Sequence, residues 1–354
     1  FIMDYLENNG WRWVEDVKQV SDFTYTTLIS DMNLVYCITL YFNKYRKVTI
    51  YDSFKVIPLS IEQMAKAYDA PMLKGSIDYD EYREPGHELT DEEKAYIKND
   101  VQIAAHALVQ FIDQGLTKMT AGSNALYYYK KSVGGTEKFR KVFPELEEDE
   151  DVFIRKAYRG GFTYASPNFK GEVIGSGLVF DVNSLYPSVM WGTDGQELPY
   201  GKPKWFDGAY QYDPFMPLWI ACVNFRFKLK PYHVPCIQIK GNMRFKQTEY
   251  LENSDGDVTI CVTSVDWELI NQQYDVTSVN WIGGFKFMSS MYQFREYVDY
   301  WTEQKIDAAR EGNQGKRSIA KLMLNSLYGK FAHGRDEQEA DAGRRCSALC
   351  RPGT

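Results

Sequence analysis

Residues 90–116 read TDEEKAYIKNDVQIAAHALVQFIDQGL, and no other stretch limits the possible folds of this chain so tightly. Thr90 with Glu93 three residues on is a capping box, in which two side chains satisfy backbone groups that the first helical turn leaves open. Ile97, Val101, Ala104, Leu108 and Ile112 follow at helical spacing, so they are expected to form the apolar stripe, and Gly115 ends the run. Upstream, NLVYCITLYF and KVTIYDSFKVIP read as strands and IEQMAKAYD as a second helix. Strands and helices in alternation specify an α/β domain. The opening FIMDYLENNGW reads as an amphipathic helix already under way, with Ile2, Leu6 and Trp13 on related faces.

The pattern changes after PELEEDEDV, an acidic run read as a solvated junction. From YRGGF to about Phe287 the chain reads as strands and turns: GLVFDV, PLWIACVNFRFKLK, VPCIQIK, DVTICVTSVDWELI and YDVTSVNWIGGFKF. Two helical stretches follow, MYQFREYVDYWTEQKIDAAREG and KRSIAKLMLNSLYGKFA. With 354 residues, two or three domains are expected. Aromatic residues make up 15%, which suits sheet cores and stacking surfaces alike. A net charge of -7 excludes a surface given over entirely to nucleic acid, yet allows a local basic channel and carboxylates that hold metal ions. Six scattered cysteines, with no hydrophobic leader and no run long enough to span a bilayer, point to a reducing, cytosolic setting. Cys346 and Cys350 lack the second pair that a zinc site needs. Both ends read as cut, and GRRCSALCRPGT as a frayed tail.

Chemistry concentrates in two places. In KLMLNSLYGKF, Lys321, Asn325 and Tyr328 fall on one helical face, beside an apolar stripe of Ala320, Leu324, Leu327 and Phe331. A lysine is a compact charge suited to triphosphate oxygens, a Tyr ring can stack on a base or sugar, and Gly329 permits close approach. In FDVNSLYPSVM, Asp181 follows an apolar triplet at an expected strand end, where its carboxylate and the Val182 carbonyl suit a hard cation. Pro187 is expected to keep Tyr186 out of helical conformation, so that its ring stands as a wall beside the site. By itself each stretch also reads more plainly, as a solvated helix face and as a strand ending in an Asx turn.

Taken in order, DVNSLYPS and KLMLNSLYGK resemble motifs A and B of family B DNA polymerases, and their separation resembles the protein-primed, φ29-type subgroup of phages. YRGGF resembles the segment that joins exonuclease and polymerase domains in that subgroup, and LKGSIDY, AYIKND and MTAGS resemble parts of its exonuclease domain and the link beyond. The similarity extends to about His333. It implies α/β and α+β folds: an incomplete ribonuclease H-like 3′ to 5′ exonuclease domain over 1–130, then a linker over 131–165. It further implies a palm with motif A over 166–194, a β-rich terminal protein region 1 over 195–287, a palm and fingers region with motif B over 288–335, and an atypical tail over 336–354.

Residue by residue, the resemblance makes Asp181 and Val182 metal ligands and Tyr186 the sugar-discriminating ring. Lys321 and Lys305 would bind nucleotide phosphates, Asn325 and Tyr328 would hold nucleotide and template, and Gly329 would lie at the DNA. Ser184 would help place the primer or priming protein, and Tyr158, Gly160 and Gly161 would touch template. Asp100 would ligate an exonuclease metal, Tyr96 orient water, Lys74 complete that site, and Ser53 with Phe54 touch single-stranded DNA, although Phe54 replaces the usual leucine. The implied cofactor is Mg²⁺ or Mn²⁺ in two-metal sites, the substrate a dNTP, and the partners template, primer and a terminal priming protein, with no membrane. If phage-encoded, such a protein works in the bacterial cytoplasm.

Nothing after Phe331 resembles the family's Asp-Thr-Asp motif C, and the first two exonuclease motifs would precede Phe1. SDGDV near Asp255 and IDYDEY near Asp78 have the letters but come before motif B, and read as solvated turns. The chain as given is therefore expected to be inefficient in either reaction. Two further readings stand beside the enzyme: a non-catalytic remnant that binds DNA or priming protein, and an interaction protein that reuses the fold.

Overall fold

Ser60 and Thr90 each accept a hydrogen bond from the backbone three residues on, while Gln63 and Glu93 reach back to close the box. These caps set the start of two helices in a computed structural model that describes residues 2–29, 35–43, 45–84, 86–173, 175–192, 195–238 and 250–331. Phe1, Asn33, Leu34, Ile239, Lys240 and the expected tail with Cys346 and Cys350 lie outside the described residues. The chain divides into two units, Phe1–Tyr129 with Tyr297–Thr354, and Lys130–Glu296.

The first unit opens with α1 (Ile2–Asn8) and a four-stranded sheet of β1 (Arg12–Trp13), β2 (Thr24–Ile29), β3 (Val35–Tyr41) and β4 (Lys47–Tyr51), in that order. β1 runs parallel to β2 and the other pairs are antiparallel. Leu6, Tyr25, Ile38 and Leu40 form its core; Ile2 and Trp13 do not join it and are exposed. The expected strand KVTIYDSFKVIP stops at Tyr51, because the Asp52 carboxylate accepts from Phe54 N and starts a 3-10 turn over Ser53–Lys55. α2 (Ile61–Ala67), α3 (Asp91–Asp113) and α4 (Ala121–Ser132) follow, and after the second unit α9 (Arg295–Arg310) and α10 (Gln314–Phe331) complete the first. Unit boundaries fall inside α4 and α9.

The stripe expected on α3 is the wrong face. Ile97, Val101 and Ile112 are exposed, and the buried row is Glu93, Ile103, Ala107 and Phe111. Ala and polar residues blurred the periodicity; burial is decided by Tyr68 and Met64 of the α2 region and by Ile319, Met323 and Leu327 of α10, all buried. Gln110 Nε2 donates to the Tyr68 carbonyl at 2.9 Å, which ties α3 to the end of α2. Tyr297, 2% exposed, donates to the Met323 carbonyl at 2.8 Å, which ties α9 to α10.

The second unit holds α5 (Thr136–Val142), α6 (Glu148–Arg155), α7 (Leu185–Trp191) and α8 (Ser264–Gln273) around a fully antiparallel sheet. Its strands are β5 (Leu198–Asp207), β6 (Leu218–Leu229), β7 (Val258–Thr263) and β8 (Tyr274–Ser290), in the order β5-β8-β6-β7. Val223, Phe225, Phe227, Ile237, Val262, Ile270 and Tyr274 form its core. Two expectations change here. The acidic run supplies the first turn of α6, where carboxylates complement the positive end of the helix dipole. DVTICVTSVDWELI is half strand and half helix, because Thr263 and Asp266 make a capping box that ends β7 and begins α8. Cys222 and Cys261, far apart in sequence, stand opposite each other on β6 and β7, Cα to Cα 4.0 Å. Among the described residues no helix is long and apolar enough to cross a membrane.

Candidate active-site residues in the two units

Tyr96 and Asp100 continue the buried row of α3 rather than its exposed face. A polar pair where the helix packs needs partners, and a loop supplies them. The Tyr79 hydroxyl meets that of Tyr96, with the rings edge to face at 6.4 Å, and Lys74 Nζ lies 5.8 Å from the Tyr96 ring centre. The Tyr79 contact, then burial, holds the Tyr96 hydroxyl above the usual phenol range, and the Asp100 carboxylate adds to this. The bond to Tyr96 raises the Lys74 ammonium in turn. Asp100 Oδ1 is buried without a hydrogen-bond partner among the described residues. An orphaned carboxylate oxygen beside a phenol and an ammonium fits a hard cation. Lys74, Tyr96 and Asp100 are thus assembled as the sequence suggested, and Tyr79, missed there, joins them.

That loop is pinned at the start of α3. Glu93 accepts from Arg83 Nε, from Thr90 N at 2.9 Å, and pairs with His87 Nε2 at 2.9 Å. Arg83 first, then the Thr90 backbone N–H, then His87, hold the Glu93 carboxyl down to about 2. Its folded value lies below the usual 4.5, so the clamp contributes fully above pH 4.5 and is lost as pH falls from there towards 2. Urea midpoints measured over that window should fall with acid in the natural chain. In Glu93→Gln they should start lower and fall less steeply.

Motif residues of the second unit sit on bare backbone. GLVFDV was expected to be a strand, but among the described residues no ladder includes it, and Leu178, Val179 and Phe180 are 84%, 99% and 87% exposed. Asp181 and Val182 are exposed beyond them, and Ser184 adopts a left-handed conformation with φ of 53°. Tyr186 is helical, contrary to expectation: Pro187 is the third residue of α7, where its missing N–H is one the first turn never uses. The Tyr186 ring is nonetheless half exposed. Gly192 ends α7 with φ of 80°, and a Cβ there would lie 2.6 Å from the Met291 carbonyl oxygen.

α10 bears out its expected division. Ala320, Leu324 and Leu327 are buried, whereas Lys321, Asn325, Tyr328 and Gly329 are exposed along one face. Gly329 has nothing within 4 Å of a built Cβ, so packing among the described residues does not require it. A mid-helix glycine costs about 1 kcal/mol against alanine. Lys305 stands half-buried on α9. Tyr158, Gly160 and Gly161 are exposed, the glycines again with open space where a Cβ would lie. Ser53 and Phe54 occupy the 3-10 turn after β4. Among the described residues neither makes a hydrogen bond, ion pair or ring contact to the Lys74 and Asp100 group. Asp181 and the α10 face belong to different units.

Residues 80–344 match the family described as DNA polymerase type B, organellar and viral. The chain belongs to that family. It is 46% identical over 341 residues to the DNA polymerase of Bacillus phage Nf, 44% identical to that of Bacillus phage phi29, and 30% identical over 320 residues to that of Streptococcus phage Cp-1. The alignments with the Nf and phi29 enzymes cover 95% of this chain and 58% and 57% of theirs, so the chain spans a little over half the length of these relatives. The phi29 enzyme in its orthorhombic crystal form matches with a TM-score of 0.87 at 43% identity, covering 94% of this chain and 57% of that one. Its complex with primer-template DNA and incoming nucleotides matches with a TM-score of 0.84.

Membership in the polymerase family gives the resemblance of DVNSLYPS and KLMLNSLYGK its footing. Among the described residues of this polymerase-family chain no three His, Cys, Asp or Glu side chains gather as a metal-holding group. Asp78 and Asp255 are turn residues, as expected: Asp78 Oδ1 accepts from Asp80 N, and Asp255 is exposed. The signal for Tyr79 was present in LKGSIDY, where an aromatic lies five residues after Lys74 on a stretch bounded by Gly and Asp.

Proposed function

We propose that the chain is part of a protein-primed, DNA-templated DNA polymerase that also degrades DNA from the 3′ end. The observation that carries this reading is the exposed row Lys321, Asn325, Tyr328 and Gly329 on α10, in a chain of the polymerase family. A cation, an amide and a ring in line match a triphosphate, a sugar and a base, and the glycine, unneeded by packing, leaves room for them. Phosphoryl transfer relies on positioning and charge neutralisation, and these side chains offer both.

In this reading Lys321 and Lys305 hold the nucleotide's phosphates, Tyr186 lies against the sugar and rejects a 2′-hydroxyl, and Asn325 and Tyr328 align base and template. Asp181 and the Val182 carbonyl hold Mg²⁺ or Mn²⁺, and Asp100 holds the ion of the degradative site. Such ions supply Lewis acidity and lower the pKa of a bound hydroxyl. Ser184 places the primer end or the hydroxyl of a terminal priming protein, Tyr158, Gly160 and Gly161 rest on template, and Ser53 and Phe54 guide a frayed strand towards Lys74, Tyr96 and Asp100. The setting is the cytoplasm of a bacterial host.

Primer extension by the longest natural polypeptide containing this chain tests the reading. Lys321→Ala is expected to raise KM for the incoming dNTP at least about tenfold, the worth of one charge-assisted contact. Extension indifferent to Lys321 would overturn the assignment of the α10 face. Binding of primer-template without any extension would favour the non-catalytic reading.

A further inference from the structure

Arg159 is the one cation in YRGGF, and a cation in a DNA-facing segment invites a phosphate. Two of its five donors are already engaged inside the protein. Nη1 donates to the Lys156 carbonyl at 2.9 Å, and Nη2 to the Cys261 carbonyl at 2.8 Å. Cys261 lies on β7, the edge strand of the second unit's sheet, 5% exposed and paired in register with Cys222 of β6. Arg159 thereby binds the segment to the sheet.

A second fastening lies four residues on. Thr163 N donates to the Tyr250 hydroxyl at 3.1 Å, and the Tyr250 ring lies 4.9 Å from Phe162 and 6.0 Å from Tyr164, centre to centre. Tyr250 is itself held firmly. Gln238 pairs with it as an isolated bridge, and its neighbour Leu251 donates to the Ile237 carbonyl and accepts from the Tyr274 hydroxyl at 2.8 Å. Tyr274, 1% exposed in the sheet's core, also accepts from Cys236 N and Ile237 N. A line of hydrogen bonds thus runs from the core of the sheet to Thr163. Between the two fastenings, Gly160 and Gly161 meet nothing within 4 Å where a Cβ would lie.

We propose that the β-rich module is the seat of the YRGGF segment, with Arg159 and Tyr250 as positioning residues that stretch the Gly160–Gly161 backbone across open space. The inference rests on the reading that this segment lies on template. It gives the module a role in that contact, and assigns Arg159 the role of a tether between the segment and the sheet.

Hydrogen exchange on the chain as it stands tests the seating without requiring DNA. In Tyr250→Ala the amide of Thr163, which donates to the Tyr250 hydroxyl, should exchange about tenfold faster, as the loss of one hydrogen bond implies, with β6 and β8 unchanged. Unchanged exchange at Thr163 overturns the proposal. Should Tyr250→Ala loosen the whole sheet, Tyr250→Phe decides: faster exchange at Thr163 alone supports it, and no change there overturns it. Mobility shifts with a primer-template duplex at fixed salt supply the second readout. Arg159→Ala and Arg159→Lys are both expected to bind about tenfold more weakly, because a lysine keeps the charge but cannot fork to two carbonyls. Full rescue by lysine would overturn the tether. If the natural chain binds no duplex, the template reading fails, and the exchange result judges the seating on its own.

Discussion

Asp181→Ala, in the longest natural polypeptide that carries it, is expected to cut primer extension about a thousandfold, since a metal ligand supports several kcal/mol of transition-state charge. Degradation from the 3′ end should persist, because Lys74, Tyr79, Tyr96 and Asp100 lie in the other unit. Asp181 is the only charged residue between Gly175 and Met190, and its side chain is exposed. Removing it takes away no buried partner, so lost extension would report chemistry and not misfolding. Asp100→Ala should give the reverse result. Extension by Asp181→Ala at an undiminished rate would remove the metal assignment.

The largest effect on stability is expected at Gly284. This residue lies in β8, between β5 and β6, opposite Phe206 and Ala221. A Cβ there would fall 2.1 Å from the Ile220 carbonyl oxygen and 2.6 Å from the Ala221 Cα, both backbone atoms that cannot swing aside. Gly284→Ala should therefore cost at least about 3 kcal/mol, the upper range for overpacking, in urea unfolding of the second unit. Gly160→Ala is the control. With open space around its Cβ, it should shift stability by no more than about 0.5 kcal/mol. Equal midpoints for Gly284→Ala and the natural chain would mean that the β6–β8 register is wrong.

Sequence alone placed what depends on local chemistry. The capping box at Thr90 and the two faces of α10 follow from neighbours within a turn or two, and the structure has them as expected. Burial depends on partners distant in sequence. The apolar stripe expected on α3 is its exposed side, because Tyr96 and Asp100 put polar groups into the row that is buried. That conflict was itself the signal for a site. Tyr186 is helical although a proline follows it, because Pro187 stands in the first turn of α7, where its missing N–H is not used. The Glu93 clamp and the Tyr250 seat were invisible for a simpler reason. Their partners are 10 and 87 residues away, and no spacing rule reaches so far.

The bare ribbon before Asp181 has an outcome in the test tube. Among the described residues, Gly177 through Val182 joins no ladder, and its backbone is flanked by greasy side chains, with a single negative charge to discourage company. Such an edge recruits any extended peptide that can lie beside it, a second molecule included. Handled at high concentration, this polypeptide will tend to stick to itself there first, and a solubilising charge placed at Val179 would be the remedy.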